Sequence, residues 1–426
     1  MVNSYQQIIE WLYSQLPVYH HIGSAAYKKD LTNTLALCAH LDNPQHKFKS
    51  VHITGTNGKG SSAHMLAAIL QSAGYKTGLY TSPHLKDFTE RIKINGAEIE
   101  KDFVVEFVNR MKKPMEQILP SFFEFTVAMA FEYFAKEKVD IAVIEVGLGG
   151  RLDSTNVINP EISLITNIGY DHMDILGNTL PEIAWEKAGI IKPKKPVVIS
   201  ERQPEIEKVF INKANEMGSP IYFASDRVNL TRPDDETIQI KTEGRFLLVN
   251  PELKGLYQLK NISGVVQTSL VLGELGYSIP ESAITNGINN SVKLTGLKGR
   301  WQKISERPTV ICDTAHNAEG IIEIIKQINI TPHKKLRWVF GMVKDKSPEK
   351  ILAILPAHAQ YYFCQAKIPR AMDAIELNKM AHEKGLTCKV VPDVNDALKK
   401  AKEDSSSDDL IIVGGSTFVV AEVEGL

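Results

Sequence analysis

The chain has 426 residues, 49 of them basic and 50 acidic, for a net charge of -1. That balance excludes an electrostatic platform for nucleic acid or a membrane surface, and the length exceeds one ordinary core, so two domains are expected. The four cysteines, Cys38, Cys312, Cys364 and Cys388, show neither CxxC pairing nor zinc-ligand spacing, which fits buried thiols in a reducing compartment rather than a disulfide framework.

In chain order, the N-terminal "MVNSYQQIIEWLYSQLPVY" has no basic leader, and no apolar run approaches the ~20 residues that span a bilayer, so a cytoplasmic location is expected. Next comes "HITGTNGKGSS" at His52 to Ser62, a strand running into glycines, a lysine and serines and then into the helical spacing of Met65, Leu66, Ile69 and Leu70. That order suits a phosphate cradle at a helix N-terminus, with Lys59 and loop amides facing a triphosphate and Ser61 offering a hydroxyl to Mg²⁺; the alternative is a plain glycine turn. Gly60 separates Lys59 from Ser61, which departs from the common Lys-Ser/Thr form.

Short β-branched runs then alternate with helical patterns: "KTGLYTS", helices over 101–136, "VDIAVIEVG", "EISLITNI", a helix to Gly189, and "PVVIS". Such alternation predicts a mainly parallel α/β sheet. Glu145 ends a buried strand on the sheet edge that carries the glycine loop, which permits a metal role or mere solvation. Asp171, His172 and Asp174 follow another strand, where His172 suits hydrogen bonding better than metal ligation. Lys187, on a helix in "IAWEKAGIIKP", reads from composition as a surface lysine. Alternation over 225–249 predicts a small antiparallel portion turning at "TEGR", and helical patterns resume over 261–290.

After "TGLKGRW" the rhythm restarts, with five strands and intervening helices, so a 1–297 ATP-binding domain and a 298–426 Rossmann-like domain are expected. "TVICDTAHNAEG" presents Asp313, His316 and Asn317 at a strand-to-helix turn, as a polar site or as helix caps. "IIVGGSTF" is a second glycine-rich turn and lacks a lysine. His20, His21, His40, His46 and His52 show no ligand spacing and read as structural.

"TGTNGKGSS", "TSPHL" with "ERI" after it, "FFEFT", "EVGLGGRLDSTN", "DH", "EKAGIIK", "GRWQ", "DTAHN" and "GGSTF" occur in one order along nearly the whole chain. In these motifs it resembles the folylpolyglutamate synthase and dihydrofolate synthase family, the folate branch of the Mur ligases. The resemblance implies an ATP-dependent amide ligase that activates a pterin or folate carboxylate as an acyl phosphate and joins it to L-glutamate.

It implies that Asn57, Gly58, Lys59 and Gly60 hold the phosphates, and that Ser61, Glu145 and His172 are metal ligands. Lys187 would be carbamylated and would bind a second Mg²⁺. Asn261, Arg300 and Asp313 would contact ATP, and His316 would lie near the transferring phosphate and the incoming glutamate. Ser82, Pro83 and His84 match a folate loop, and Phe123, Glu124 and Asp153 match the dihydropteroate pocket. Where relatives carry a Gly-Leu-x-Arg stretch, this chain has "IGSAAYKKD", a departure in the pterin pocket. A monomer is expected, and the need for a monovalent cation and the choice between dihydropteroate and reduced folates stay open. The competing expectations are a muramyl-peptide ligase, which would bring a further domain ahead of the loop, and an inactive nucleotide-binding homologue.

Overall fold

A computed structural model describes residues 4–17, 28, 30–234, 236–242, 244–344 and 346–426. His20, His21 and most of the divergent "IGSAAYKKD" stretch lie outside the described residues. The chain forms two units, one of residues 1–252 and 258–297, the other of 253–257 and 298–426. The short excursion at 253–257 is a feature no single cut in the sequence expresses.

The first unit is built on eight strands: β1 Lys49–Thr54, β2 Thr77–Tyr80, β3 Ile92–Ile94, β4 Ala97–Glu98, β5 Ile141–Glu145, β6 Ile162–Ile165, β7 Val197–Ile199 and β8 Ile221–Phe223. Their order is β4-β3-β2-β5-β1-β6-β7-β8, parallel except where β3 joins β2 and β4. Strands β5, β1 and β6 are covered on both faces, which is why they read as continuous apolar runs rather than alternations. The β3-β4 pair turns at Asn95 and Gly96, both at positive φ. That hairpin and β8 are too short to show periodicity, and the sequence pattern does not announce them.

One face of the sheet carries the helix Lys59–Ser72, buried continuously from Ser61 to Leu70. The helices Gln258–Glu274 and Glu281–Asn289 pack beside it. Gly287 makes the second approach possible, because a Cβ there would sit 2.5 Å from the Ile69 backbone. The opposite face carries Lys101–Ile118 and Phe122–Lys136, whose inward residues Phe103, Phe107, Phe125, Phe131 and Phe134 form an aromatic-rich core. The expected antiparallel portion is present as β9 Asn229–Thr231, β10 Ile238–Thr242 and β11 Arg245–Val249, in order β11-β10-β9.

The second unit has six strands where the sequence suggests five: β12 Gln302–Glu306, β13 Thr309–Cys312, β14 Leu336–Phe340, β15 Gln360–Phe363, β16 Thr387–Val390 and β17 Leu410–Gly414, in order β12-β13-β17-β14-β15-β16. The extra strand β12 pairs antiparallel with β13 at the sheet edge. It is polar and half exposed, so no apolar run marks it. Trp338, Phe340, Tyr361 and Phe363 fill one side of this sheet. Among the described residues no helix is long and apolar enough to cross a membrane.

Candidate active site

At the C-terminal edge of the first sheet, β1 ends at Thr54 and the loop 55–58 leads into the helix beginning at Lys59. Gly58 is left-handed at φ 87°, and a Cβ on it would lie 2.1 Å from Asn261 Oδ1, so glycine is required twice over. The loop is fastened to the segment after β6: Thr56 N donates to Asn167 O (2.8 Å), Asn57 N to Asn167 Oδ1 (2.9 Å), and Thr166 Oγ1 to Asn57 O (2.6 Å). Lys59 Nζ donates to the loop carbonyls of Gly55 (3.0 Å) and Thr56 (3.2 Å). Ser61, buried in the first helical turn, accepts from Gln258 Nε2 (3.2 Å), and Gln258 Oε1 in turn accepts from Asn261 (2.8 Å). Asn261 therefore reaches the loop through the same buried amide that fixes Ser61.

The surface position that composition assigns to Lys187 is wrong: the residue is 4% exposed. Its Nζ donates to Gly55 O at 2.8 Å, so its amine faces the phosphate loop. Burial, reinforced by repulsion from Lys59, brings its pKa down to about 7 against the pull of Asp171 and Asp153. Glu145, at the end of β5 and paired in register with Ile53, is also buried, and its Oε2 accepts from Ser82 N (3.0 Å). That bond ties the 82–91 loop to the sheet edge. His172 sits in a left-handed turn at φ 51°, its Nε2 3.8 Å from the Asp171 carboxylate.

The residues matched to a pterin pocket divide by what their polar atoms do. Asp153 Oδ1 accepts from Thr155 N (2.9 Å) and its hydroxyl, while Oδ2 accepts from Leu148 N (2.8 Å). Burial raises its pKa, against these donors. Thr155 in turn meets His52 Nε2 at 2.9 Å, so a buried histidine supports the carboxylate from beneath. Glu124 closes a capping box with Ser121, its Oε2 accepting from Ser121 N (2.6 Å), while its buried Oε1 has no partner among the described residues. Phe123 packs on Gly147, whose absent Cβ would fall 2.4 Å from the ring, and lies 6.2 Å from Tyr80. His84 stands between Tyr13 and Arg91, beside the Ser82-Pro83 bond.

In the second unit, Asp313 follows β13 and is buried. Its Oδ2 accepts from the Tyr257 hydroxyl and from Trp301 N, both at 2.7 Å, and its Oδ1 from Ala315 N (2.9 Å). Burial raises its pKa, opposed by Arg300. Asn317 is a helix cap, accepting from Gly320 N (2.8 Å). His316 Nδ1 lies 3.0 Å from Thr314 O, which fixes the proton on Nδ1 in the neutral ring and leaves Nε2 as the basic nitrogen.

Sequence reasoning passed over Asn167, Thr166 and Gln258, which hold the loop from 100 or more residues away and carry no local signal. It also gave no role to the arginine of "ERI".

The donors suit Mg²⁺ shared with a triphosphate. Ser61 and Glu145 offer hard oxygens at one sheet edge, and among the described residues no three His, Cys, Asp or Glu side chains form a self-sufficient metal cage. A phosphate loop of this form on a parallel sheet defines a nucleotide-binding enzyme, and the comparisons sharpen that class. A family model of the Mur ligase middle domain matches residues 53–268, and one of the Mur ligase glutamate ligase domain matches residues 299–417; together they make the chain an ATP-dependent ligase.

A dihydrofolate synthase/folylpolyglutamate synthase of Bacillus subtilis is 32% identical over 99% of both chains. The Escherichia coli enzyme of the same name is 31% identical over 87% of this chain and 85% of its own. Among solved structures, E. coli FolC in complex with DHPP and ADP superposes with a TM-score of 0.86 at 28% identity, covering 98% of this chain and 97% of that one. The bifunctional enzyme of Yersinia pestis complexed with AMPPNP and Mn gives 0.82 at 29% identity, over 99% and 98%. The chain belongs to the folylpolyglutamate synthase/dihydrofolate synthase family of the Mur ligases.

Proposed function

We propose that this enzyme joins L-glutamate to the carboxylate of 7,8-dihydropteroate and of reduced folates, serving both steps. The observation that carries it is the phosphate loop with buried Lys187 on its Gly55 carbonyl, in a chain whose remainder matches a glutamate ligase domain.

A carboxylate and an amine do not condense in water without activation. In the reaction proposed, an acceptor carboxylate oxygen attacks the γ-phosphorus of ATP, ADP departs, and an acyl phosphate remains. The glutamate amine then attacks the acyl carbon, and the tetrahedral intermediate collapses to amide and inorganic phosphate as the amine proton is lost. Gly58, Lys59 and Gly60 would present backbone N–H groups to the phosphates, Asn57 would shape the loop through its bond to Asn167, and Lys59 would neutralise charge that builds on the transferring group. Asn261, Arg300 and Asp313 complete the ATP contacts; Asp313 acts chiefly by holding Trp301 and Ala315, since its oxygens are engaged there.

Ser61, Glu145 and His172 would hold Mg²⁺, which when bound supplies Lewis-acid stabilisation to phosphate oxygens. Lys187, with a neutral amine available near pH 7, is suited to add CO₂, losing a proton to give a carbamate that would hold a second Mg²⁺. Ser82, Pro83, His84 and Phe123 would border the acceptor. Asp153 and Glu124 would shape its pocket, Asp153 through the 147–148 backbone it holds. His316 Nε2 would take the amine proton. We further propose a monomeric, cytoplasmic enzyme.

The test is phosphate release with Mg-ATP and L-glutamate, comparing 7,8-dihydropteroate with a tetrahydrofolate monoglutamate. Release with both supports the bifunctional assignment, release with one alone restricts it, and silence with both overturns it. Within the same assay, His316→Ala should lower kcat far more than it weakens ATP binding; unchanged turnover would remove His316 from the reaction.

A further inference from the structure

The motif Glu90-Arg91-Ile92 closes the loop that begins at Ser82. Glu90 shapes that loop, its carboxylate accepting from the amides of Leu85 (2.7 Å), Lys86 (2.8 Å) and Asp87 (3.0 Å). Arg91 has no such structural duty, yet it is only 3% exposed. The other buried basic side chains all have their charge answered. Arg337 is bonded to Asp409, Lys93 donates to Thr295 O (2.9 Å) with Glu98 at 3.8 Å, and Lys187 has its charge weakened by burial. Arg91, like Lys187, has no carboxylate within ion-pair distance among the described residues, but unlike Lys187 it cannot shed its proton in answer to burial. A guanidinium stays charged at any working pH, so an unanswered one in the interior is costly unless an anion arrives.

Its orientation is set. Nε donates to His84 Nδ1 at 2.8 Å, which places the histidine proton on Nε2, 3.3 Å from the Tyr13 hydroxyl. The guanidinium carbon lies 5.4 Å from the centroid of Phe122, and Tyr13 stacks on the same ring at 5.0 Å. With Nε engaged, one face on an aromatic ring and the Tyr80 hydroxyl within hydrogen-bonding reach, the remaining Nη hydrogens are what the guanidinium has to offer an anion. The location is right as well. The buried Tyr80 phenol is acted on at once by Arg91, Asp153 and Glu145, so the guanidinium shares the surroundings of the residues assigned to acceptor and metal.

We propose that Arg91 is the specificity residue for the acceptor's carboxylate, holding the group that is to be phosphorylated in an orientation fixed by His84 and Phe122. This rests on the acceptor being a pterin carboxylate, as proposed above. The experiment measures equilibrium binding of 7,8-dihydropteroate and of its carboxamide to the full chain with AMPPNP and Mg²⁺ present, for wild type, Arg91→Met and Arg91→Lys.

Wild type should favour the carboxylate by about 10- to 100-fold, the worth of a charged hydrogen bond. Arg91→Met should bring that ratio near unity while carboxamide and AMPPNP affinities hold within about twofold, and Arg91→Lys should keep part of the preference. Equal weakening of both pterins in Arg91→Met, or an undiminished preference, overturns the proposal. If the Met variant does not fold, Arg91→Gln, which keeps a donor toward His84, reads the same ratio. A wild-type protein that binds neither pterin overturns the acceptor assignment and this inference with it, whereas lost discrimination confined to Arg91 variants supports both.

Discussion

Each unit contains a strand that runs through glycine and serine into a helix, and the two turns differ in the charge they carry rather than in the work of their glycines. After β1, Gly58 makes a left-handed turn crowded by Asn261, and Lys59 opens a helix of 14 residues. After β17, Gly414 and Gly415 answer crowding: a Cβ on Gly414 would lie 2.6 Å from Asp313 O, and one on Gly415 2.6 Å from Phe340 Cε2. The helix that follows has six residues, and Ser416 caps it, accepting from Phe418 N. Glycine in both turns makes room for the protein itself, for Asn261 in one and for Asp313 and Phe340 in the other. The presence of lysine separates them.

The largest expected effect falls on the lysines of the first turn. Lys187→Met should lower turnover by about three orders of magnitude, the scale of losing a metal-organising group. The same change should stabilise the fold. A pKa near 7 in the folded chain against an ordinary 10.5 means that the folded state holds fewer protons between those values. The cost of burying the amine is thus full below pH 7 and fades as the pH rises toward 10.5. Melting temperature in CO₂-free buffer should show a gain for Lys187→Met at pH 6.5 that shrinks by pH 9.5; a gain that grows with pH contradicts the account.

Lys59→Met should cost turnover about 100- to 1,000-fold with little change in melting temperature. A matched pair of glycine substitutions comes next. Gly58→Ala should abolish detectable AMPPNP binding by calorimetry. Gly415→Ala, strained by φ 91° as well as by contact, should keep nucleotide affinity and lose roughly 1–3 kcal/mol of stability. Similar AMPPNP affinities for the two variants would erase the distinction. The smallest effect is Ser416→Ala, a lost helix cap worth about 1 kcal/mol, visible in urea titration and absent from kcat.

The parts of the molecule legible in the sequence are those whose physics is local. Strands β1, β5 and β6 are buried on both faces and announce themselves as apolar runs, and the order of strand, glycine, lysine and helix needs no distant partner to be recognised. The Ser121–Glu124 capping box is equally local, written in the spacing itself. Strands β3, β4, β8 and β12 escape because two to five residues leave no period to read. The environment of Lys187 escapes for a different reason. Its neighbours on the helix look like those of any surface lysine, and its burial comes from a loop 132 residues away. Arg91 is likewise unremarkable until the absence of a nearby carboxylate is seen in three dimensions.

Gly287 carries a consequence for variation. The helix that bears Lys59 and Ser61 is supported from behind by the helix Glu281–Asn289, backbone against backbone at Ile69. Ile69 lies ten residues, about 15 Å, along the helix from the phosphate loop. Any side chain at 287 must push that helix and with it the residues that meet the nucleotide. In a saturation scan scored by growth on ligase activity, position 287 should tolerate nothing larger than hydrogen. It would look like an active-site position while touching no ligand, and drug-resistance or loss-of-function alleles would map there without any change in the site's own residues.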